Sequence, residues 1–303
     1  MLEAKNISHK YGNVTALDNL SLSVGKKEIV ALLGPDGAGK TTLMRILCNL
    51  INPTSASAMT MAGHDITHRF RDAKHLLGYM PQRFSLYPDL SVEENMSFYA
   101  GIYGLTGSAY THARDRMYAF SNLGEFAHRR AAALSGGMKQ KLALSCALLH
   151  QPEILILDEP TTGVDPLSRR QFWKILLKLR DDSVSILVAT PYMDEVARAD
   201  RVICMYAGRK LSEAEPAQLA AQFEGNVFRV DMTPSTKLLS NLNSIPNLKA
   251  RRYGAGLHLS SEANRDSNSI AATLADLSID SSRIEQIKPS IEDRFIQLME
   301  HPN

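Results

Sequence analysis

A glycine-rich loop between a predicted strand and a predicted helix constrains this chain more than any other feature. Its residues are Gly34, Pro35, Asp36, Gly37, Ala38, Gly39, Lys40, Thr41 and Thr42. Residues 28–33 form a short apolar run typical of a buried strand, and apolar residues recur at helical spacing from Leu43 to Leu50. This order of strand, loop and helix predicts an α/β fold built on a phosphate-binding loop.

The residue types in this loop suit a bound triphosphate. Glycines allow backbone N–H groups to turn inward, and together with the helix N-terminus these groups form an anion site. Lys40 brings a positive charge to the outer phosphates, and the Thr41 hydroxyl is a ligand for a bridging Mg²⁺, with Thr42 as its supporting neighbour. Nucleotide binding is therefore the first functional prediction.

The overall composition narrows the possible partners. The 303 residues carry 34 Lys and Arg against 32 Asp and Glu, a formal net charge of +2, which is too small to favour a nucleic-acid partner. The sequence has no run of about 18 apolar residues and no N-terminal secretion signal, so we expect a cytoplasmic chain that reaches a membrane only through a partner. Cys48, Cys146 and Cys204 lack metal-ligand spacing and are expected to be buried, reduced thiols.

A second predicted strand ends in two carboxylates. Residues 154–157 are continuously apolar and lead directly into Asp158 and Glu159. Asp158 can hold magnesium directly or through water, and Glu159 is placed to polarise an attacking water as a general base. The simpler alternative is a buried strand that ends in an acidic turn.

Three further segments are ambiguous when each is taken alone. Tyr11 lies in a turn, where its ring either stacks on a nucleobase or packs against the protein. The Gln82 amide could accept from a magnesium-bound water, although a surface glutamine is the commoner case. Ser135, Gly136 and Gly137 precede an apolar helix, where their donors suit a phosphate or simply begin the helix.

From residue 84 to about residue 151 the strand pattern gives way to helices. Ser91 and Glu94 form a predicted capping box at the start of one helix. An apolar stripe from Met96 to Tyr103 on the same helix suits either the core or a docking face for a partner. Both interpretations of the stripe stay open at this level.

Taken together and in this order, the motifs resemble those of the ATP-binding cassette (ABC) ATPases. The Leu-Ser-Gly-Gly sequence at residues 134–137 is similar to the family signature, and residues 161–166 are similar to the segment that follows the catalytic glutamate. Within that segment Asp165 matches an aspartate at the subunit boundary, and Tyr11 matches the adenine-stacking aromatic. The resemblance covers residues 2 to 220.

The resemblance implies ATP hydrolysis with Mg²⁺, with Glu159 and Gln82 in catalysis and Thr41, Gln82 and Asp158 around the metal. It also implies two cassettes that face each other head to tail, so that ATP contacts the loop of one and the signature of the other. The expected partners are transmembrane permease subunits and a second cassette, in a homodimer, a heterodimer or a longer tandem chain. The implied location is the cytoplasmic face of the inner (plasma) membrane.

The expected organisation is a cassette domain followed by a small accessory domain. Residues 1–224 are predicted to form a mostly parallel sheet, an antiparallel β layer and a helical insertion, and residues 225–303 a small α+β unit with a structural or regulatory role. Within the family, residues 91–105 and 289–299 look most like the exporter group called ABC-2 type.

The chain departs from the family pattern after the predicted strand at residues 185–189. Pro191 stands where the family has a histidine, and proline offers neither a side-chain donor nor a backbone N–H. We therefore expect a site that binds ATP and hydrolyses it slowly, unless the Tyr192 hydroxyl replaces the missing donor.

Two other functional classes fit the sequence less well than an exporter. A soluble cassette ATPase acting on the ribosome usually carries two cassettes, whereas one set of motifs is present here. A chromosome ATPase would need a long heptad-rich insertion between the two nucleotide motifs, which the sequence lacks.

Overall fold

The computed structural model describes residues 1–83, 85–254, 256–261, 267–275, 279 and 283–300. These residues form two compact units, Met1–Pro216 and Ala217–Asn303. The expected domain boundary at residue 224 thus lies within the second unit, close to its start.

The first unit contains the regular elements from β1 to β10 and from α1 to α7. Its strands are β1 (Leu2–Tyr11), β2 (Val14–Val24), β3 (Ile29–Leu33), β4 (Ala58–Met61), β5 (His64–Asp65), β6 (Leu77–Met80), β7 (Ile154–Asp158), β8 (Ser185–Thr190), β9 (Arg201–Tyr206) and β10 (Arg209–Ala214). Its helices are α1 (Lys40–Leu47), α2 (Phe70–Ala73), α3 (Val92–Ile102), α4 (Gly107–Ser121), α5 (Gly136–Leu148), α6 (Pro166–Asp181) and α7 (Met193–Val196). Short 3-10 turns occupy Lys74–Leu76, Gly124–Phe126 and Ala131–Ala133.

A mostly parallel sheet forms the centre of this unit. Its six described strands run in the order β10-β9-β3-β8-β7-β6, and only the pairing of β10 with β9 is antiparallel. Every residue of β3, β7 and β8 is buried, as expected for parallel strands that are covered on both faces. Because the carboxyl ends of parallel strands meet at one edge, the segments after β3, β6, β7 and β8 come together there.

A second, antiparallel sheet has the order β2-β1-β4-β5 and confirms the predicted β layer. Along β2, Leu20, Leu22 and Val24 are buried and alternate with more exposed neighbours, which is the period of a sheet with one covered face. These residues join a continuous apolar core with α1 and the central sheet.

The described part of the segment between β6 and β7 is helical, as predicted. Ser91 caps α3 through its side chain, and the Glu94 carboxylate accepts from the Ser91 backbone N–H, which confirms the capping box. Phe84, the first residue of the predicted insertion, lies outside the described residues.

The second unit is the predicted small α+β fold. Its described elements are α8 (Pro216–Ala221), β11 (Asn226–Val230), α9 (Thr236–Asn243), β12 (Leu248–Tyr253), β13 (Gly256–Ser261), α10 (Ser267–Ala275), β14 (Ile284–Ile287) and α11 (Ile291–Glu300). The strands form an antiparallel sheet in the order β12-β13-β11-β14, with an apolar core of sheet and helix residues that includes Phe228, Leu242 and Ile270. Its structural or regulatory role stays a prediction.

None of the described helices is both long and apolar enough to cross a lipid bilayer. Cys48, Cys146 and Cys204 are all buried, as expected. Burial raises the pKa of the Cys48 and Cys146 thiols, so both favour the neutral form.

Candidate active site

The glycine-rich loop leaves the carboxyl end of β3 and turns into α1, as the sequence predicts. Gly39, immediately before α1, has a φ of 98°, a left-handed conformation that residues with a Cβ rarely adopt. A Cβ on Gly39 would lie 2.5 Å from the Ala16 carbonyl oxygen, and one on Gly34 would lie 2.5 Å from the Met205 carbonyl oxygen. The loop is therefore pressed against neighbouring backbone at positions where only glycine fits.

A cavity of about 480 Å³ opens over this loop, within the size range of small-ligand sites. We call it the loop cavity. It is lined by Tyr11, Val14, Thr15, Ala16, Asp36, Gly37, Ala38, Gly39, Lys40, Thr41, Thr42, Gln82 and Glu159. Val14, Thr15 and Ala16 are not predicted from the sequence as site residues, although their place just after the turn that follows Tyr11 is a signal that points to them.

Inside the loop cavity, Lys40 and Glu159 meet as a buried ion pair. The Lys40 Nζ lies 3.4 Å from Glu159 Oε1, and the two side chains are 4% and 7% exposed. The same Nζ donates to the carbonyl oxygens of Gly34 at 2.7 Å and Pro35 at 3.1 Å. Because charges taken out of water need partners, the pairing offsets part of the cost of burying both groups.

Gln82 lies beside the same carboxylate. Its Nε2 donates to Glu159 Oε2 at 3.0 Å, and the Thr162 hydroxyl donates to that oxygen at 3.2 Å. The structure thus brings together the two residues predicted to take part in catalysis, one from the segment after β6 and one from the end of β7.

Asp158 and Thr41 provide a fitting environment for Mg²⁺. The Thr41 hydroxyl donates to Asp158 Oδ1 at 3.1 Å, while Asp158 Oδ2 is buried without a hydrogen-bond partner among the described residues. Burial raises the pKa of the Asp158 carboxyl, and the hydrogen bond from Thr41 opposes that shift. An orphaned buried oxygen is costly, and a carboxylate beside a hydroxyl is the oxygen donor set that Mg²⁺ prefers. These two residues would hold the ion.

The signature residues and Asp165 do not line the loop cavity. The Ser135 hydroxyl caps α5 by accepting from Met138 N at 3.3 Å, and Asp165 Oδ1 caps α6 by accepting from Ser168 N at 2.9 Å. A Cβ on Gly137 would lie 2.7 Å from the Ser168 Cβ, so the starts of α5 and α6 are in close contact. The predicted site residues therefore divide into two separate surfaces of one chain.

Comparison with known proteins identifies the family. A family model described as ABC transporter matches residues 17–162. The Nod factor export ATP-binding protein I of Cupriavidus metallidurans is 37% identical over 220 residues, which are 72% of this chain and 72% of that protein. This chain belongs to the ABC transporter family. The "probable multidrug ABC transporter ATP-binding protein YbhF" of Escherichia coli is 42% identical over 73% of this ABC chain, which spans only 38% of YbhF.

Solved structures agree with this assignment. A structure described as the ATP-binding subunit of an ABC transporter covers 74% of this ABC chain at 28% identity, with 93% of its own length aligned and a TM-score of 0.66. The dimeric bacterial ABC transporter cassette MJ0796 covers 71% at 25% identity, with 98% of its own length aligned and a TM-score of 0.65. The α/β cassette fold predicted from the sequence is thereby confirmed.

In this ABC cassette the segment after β8 stays apart from the loop cavity. Neither Pro191 nor Tyr192 lines the cavity. The Tyr192 backbone N–H donates to the Thr190 hydroxyl at 3.1 Å, and the Arg169 guanidinium carbon lies 4.1 Å from the centre of the Tyr192 ring. This cation–π contact holds the ring against α6.

Proposed function

We propose that this chain is an ATP-hydrolysing cassette that pairs head to tail with a second cassette and powers export through a membrane-spanning partner. The observation that carries the proposal is the division of the site residues. Lys40, Gln82 and Glu159 share the loop cavity, whereas Ser135 and Asp165 lie exposed outside it. A second cassette, identical or different, would bring its own signature to the nucleotide held by this loop.

The ion pair in the loop cavity indicates how bound ATP would release the Glu159 carboxylate for its role as general base. Lys40 is paired with Glu159. A phosphate oxygen in the loop gives Lys40 a second anion, which weakens its hold on the Glu159 carboxylate. Glu159, still contacted by Gln82, then accepts a proton from the attacking water. When bound, Mg²⁺ supplies charge neutralisation at the phosphates, and Thr41 and Asp158 would hold it.

An exposed apolar patch on the helical insertion supports a membrane-spanning partner. We define the patch as Tyr87, Phe98, Ile102 and Tyr103; its largest exposures are 62% for Ile102 and 46% for Tyr87. Met96, from the predicted stripe, is fully buried instead, so this helix serves both core and surface. The names of two relatives, a multidrug transporter protein and a Nod factor export protein, support a permease as the occupant. The chain would then lie on the cytoplasmic face of the membrane.

Isolation of the tagged chain from its native cells tests this function. We expect integral membrane subunits to copurify, and we expect Phe98→Asp with Ile102→Asp to reduce their recovery at least tenfold by placing charge in an apolar contact. The matched control is Leu50→Asp, which charges an equally exposed apolar side chain outside the insertion. Recovery of ribosomal proteins in place of membrane subunits, unaffected by the patch variant, would favour the ribosomal alternative.

We also propose that this site hydrolyses ATP slowly and acts mainly to hold two cassettes together. The support is the missing donor at Pro191, together with the placement of Tyr192 against Arg169 and away from the loop cavity. One preorganised donor to the developing phosphate charge contributes on the order of 10² to 10³ in turnover.

Replacement of Pro191 checks this second proposal. We expect Pro191→His to raise the single-turnover rate of ATP hydrolysis by at least about tenfold, since it restores a side-chain donor, and to leave ATP affinity unchanged. Tyr192→Phe is the control and should change neither quantity. A wild-type rate equal to that of the histidine variant would show that position 191 does not contribute to catalysis. A slower rate for Tyr192→Phe would show that the tyrosine hydroxyl is the donor.

A further inference from the structure

A buried carboxylate lies behind the loop cavity, and the mechanism above does not use it. Glu195, on the short helix α7, is 1% exposed. Its oxygens accept from the Thr161 hydroxyl at 2.7 and 3.0 Å and from the Thr190 hydroxyl at 2.5 Å. The Arg169 Nη1 lies 3.9 Å from the same carboxylate and offsets its charge. Burying a carboxylate costs free energy unless it is paired and hydrogen-bonded, and these partners offset that cost for Glu195.

The two threonines come from the ends of adjacent strands. Asp158 of β7 pairs with Ala189 of β8, so Glu159, the first residue after β7, lies beside Thr190, the last residue of β8. Thr161 is two positions beyond Glu159. Glu195 therefore accepts hydrogen bonds from residues at the carboxyl ends of both strands, close to Glu159, the proposed general base.

The backbone of Glu159 itself needs such support. Its φ is 50°, in the left-handed region, where the Cβ of an L-residue crowds the following carbonyl oxygen. A residue stays in such a conformation only where its surroundings impose it. Two backbone hydrogen bonds contribute, Glu159 N to Ala189 O at 3.1 Å and Thr162 N to Glu159 O at 3.2 Å. A further anchor on this turn is the Thr161 side chain, which is 1% exposed and bonded to Glu195.

We propose that Glu195 is a positioning residue for the catalytic centre. Through Thr161 and Thr190 it holds the turn after β7 so that the Glu159 carboxylate reaches Lys40 and Gln82. This role rests on the proposed function of Glu159 as general base. Glu195 does not line the loop cavity and acts only through the backbone that it secures.

Removal of one hydroxyl tests the proposal with little change in shape. Thr161→Val is expected to lower the single-turnover hydrolysis rate about tenfold or more, because a misplacement of about 1 Å can cost a catalytic group up to 10²-fold. ATP affinity should stay within about twofold, since the loop residues are unchanged. Thr161→Ser keeps the hydroxyl and should restore most of the rate. Equal rates for Thr161→Val and wild type would overturn the proposal.

The matched control is Ser185→Ala, at the opposite end of β8. The Ser185 hydroxyl is also buried and accepts from Lys27 N at 3.2 Å, so its removal deletes one comparable hydrogen bond on the same strand. Its hydrolysis rate should match wild type. A similar slowing in both variants would mean that any buried hydrogen bond on this strand matters equally, and the specific role of Glu195 would be refuted.

A double variant separates positioning from general damage. In a Glu159→Gln background, Thr161→Val should cause no further loss of the residual rate, because its effect passes through the Glu159 carboxylate. A further loss equal to that in the wild-type background would overturn the proposal. If Glu159→Gln slows hydrolysis and Thr161→Val does not, only this inference fails. If Glu159→Gln itself hydrolyses normally, the proposed general base fails as well.

Discussion

Glu159→Gln is expected to lower ATP turnover by on the order of 10² to 10³-fold and to leave ATP binding intact. The amide keeps the size of the side chain and its place beside Gln82, yet it cannot accept a proton from water at neutral pH. Phosphate release under saturating ATP measures the turnover, and a nucleotide titration measures the affinity.

The same strand offers a matched control for this substitution. Glu153 immediately precedes β7, at the end opposite to Glu159, and its side chain is exposed. Glu153→Gln should therefore turn over ATP at the wild-type rate. Normal hydrolysis by the Glu159 variant would contradict its role as the base.

Lys40→Ala is expected to weaken ATP binding by about 10- to 150-fold, because a hydrogen bond to a charged group contributes roughly 1.5–3 kcal/mol. The structure adds a second consequence. Loss of Lys40 leaves the Glu159 carboxylate buried without its cation, so the nucleotide-free protein should also lose thermal stability. Titration with a fluorescent ATP analogue and a thermal melt measure the two effects separately.

A double variant separates the loss of ATP affinity from the loss of thermal stability in Lys40→Ala. Adding Glu159→Gln to Lys40→Ala removes the unpaired charge, so it should recover part of the lost stability and none of the lost affinity. Lys26→Ala, which changes an exposed lysine outside the loop cavity, serves as the control for charge alone. An unchanged affinity for ATP in Lys40→Ala would refute the assignment of the loop.

The parts of the fold that could be predicted from the sequence are those with strong local patterns. The buried strand before Gly34 and the one that ends at Asp158 are continuous apolar runs, and the Ser91 capping box is a short-range motif. Their order along the chain, together with the glycine loop, was enough to predict a mostly parallel sheet with the phosphate site at its carboxyl edge.

The contacts within the site could not be predicted in the same way. Lys40 and Glu159, or Thr161 and Glu195, meet only after strands far apart in sequence have been placed next to each other. No local pattern specifies these pairs, because the side-chain directions depend on register and on turns such as the left-handed one at Glu159. For the same reason, the sequence does not predict where the Tyr192 ring lies.

The same limit of local sequence patterns applies to the accessory unit, where the fold type can be predicted and the segment that begins the unit cannot. The sequence predicts a small α+β unit for residues 225–303, and β11 and β13 are two of its strands. The predicted boundary at residue 224 and the start of the second unit at Ala217 differ by the length of α8, which no local pattern assigns to either unit.

The central claim is that ATP held by one loop is completed by the signature of another cassette. Light scattering on the Glu159→Gln chain, with and without ATP and Mg²⁺, tests it most directly, since this variant keeps bound ATP from being hydrolysed. We expect the mass of one chain without nucleotide and of two chains with it, and we expect Ser135→Arg in the same chain to abolish the increase while ATP still binds. A mass of one chain at saturating ATP, or a dimer that forms equally well with Ser135→Arg, would contradict a site shared between two copies.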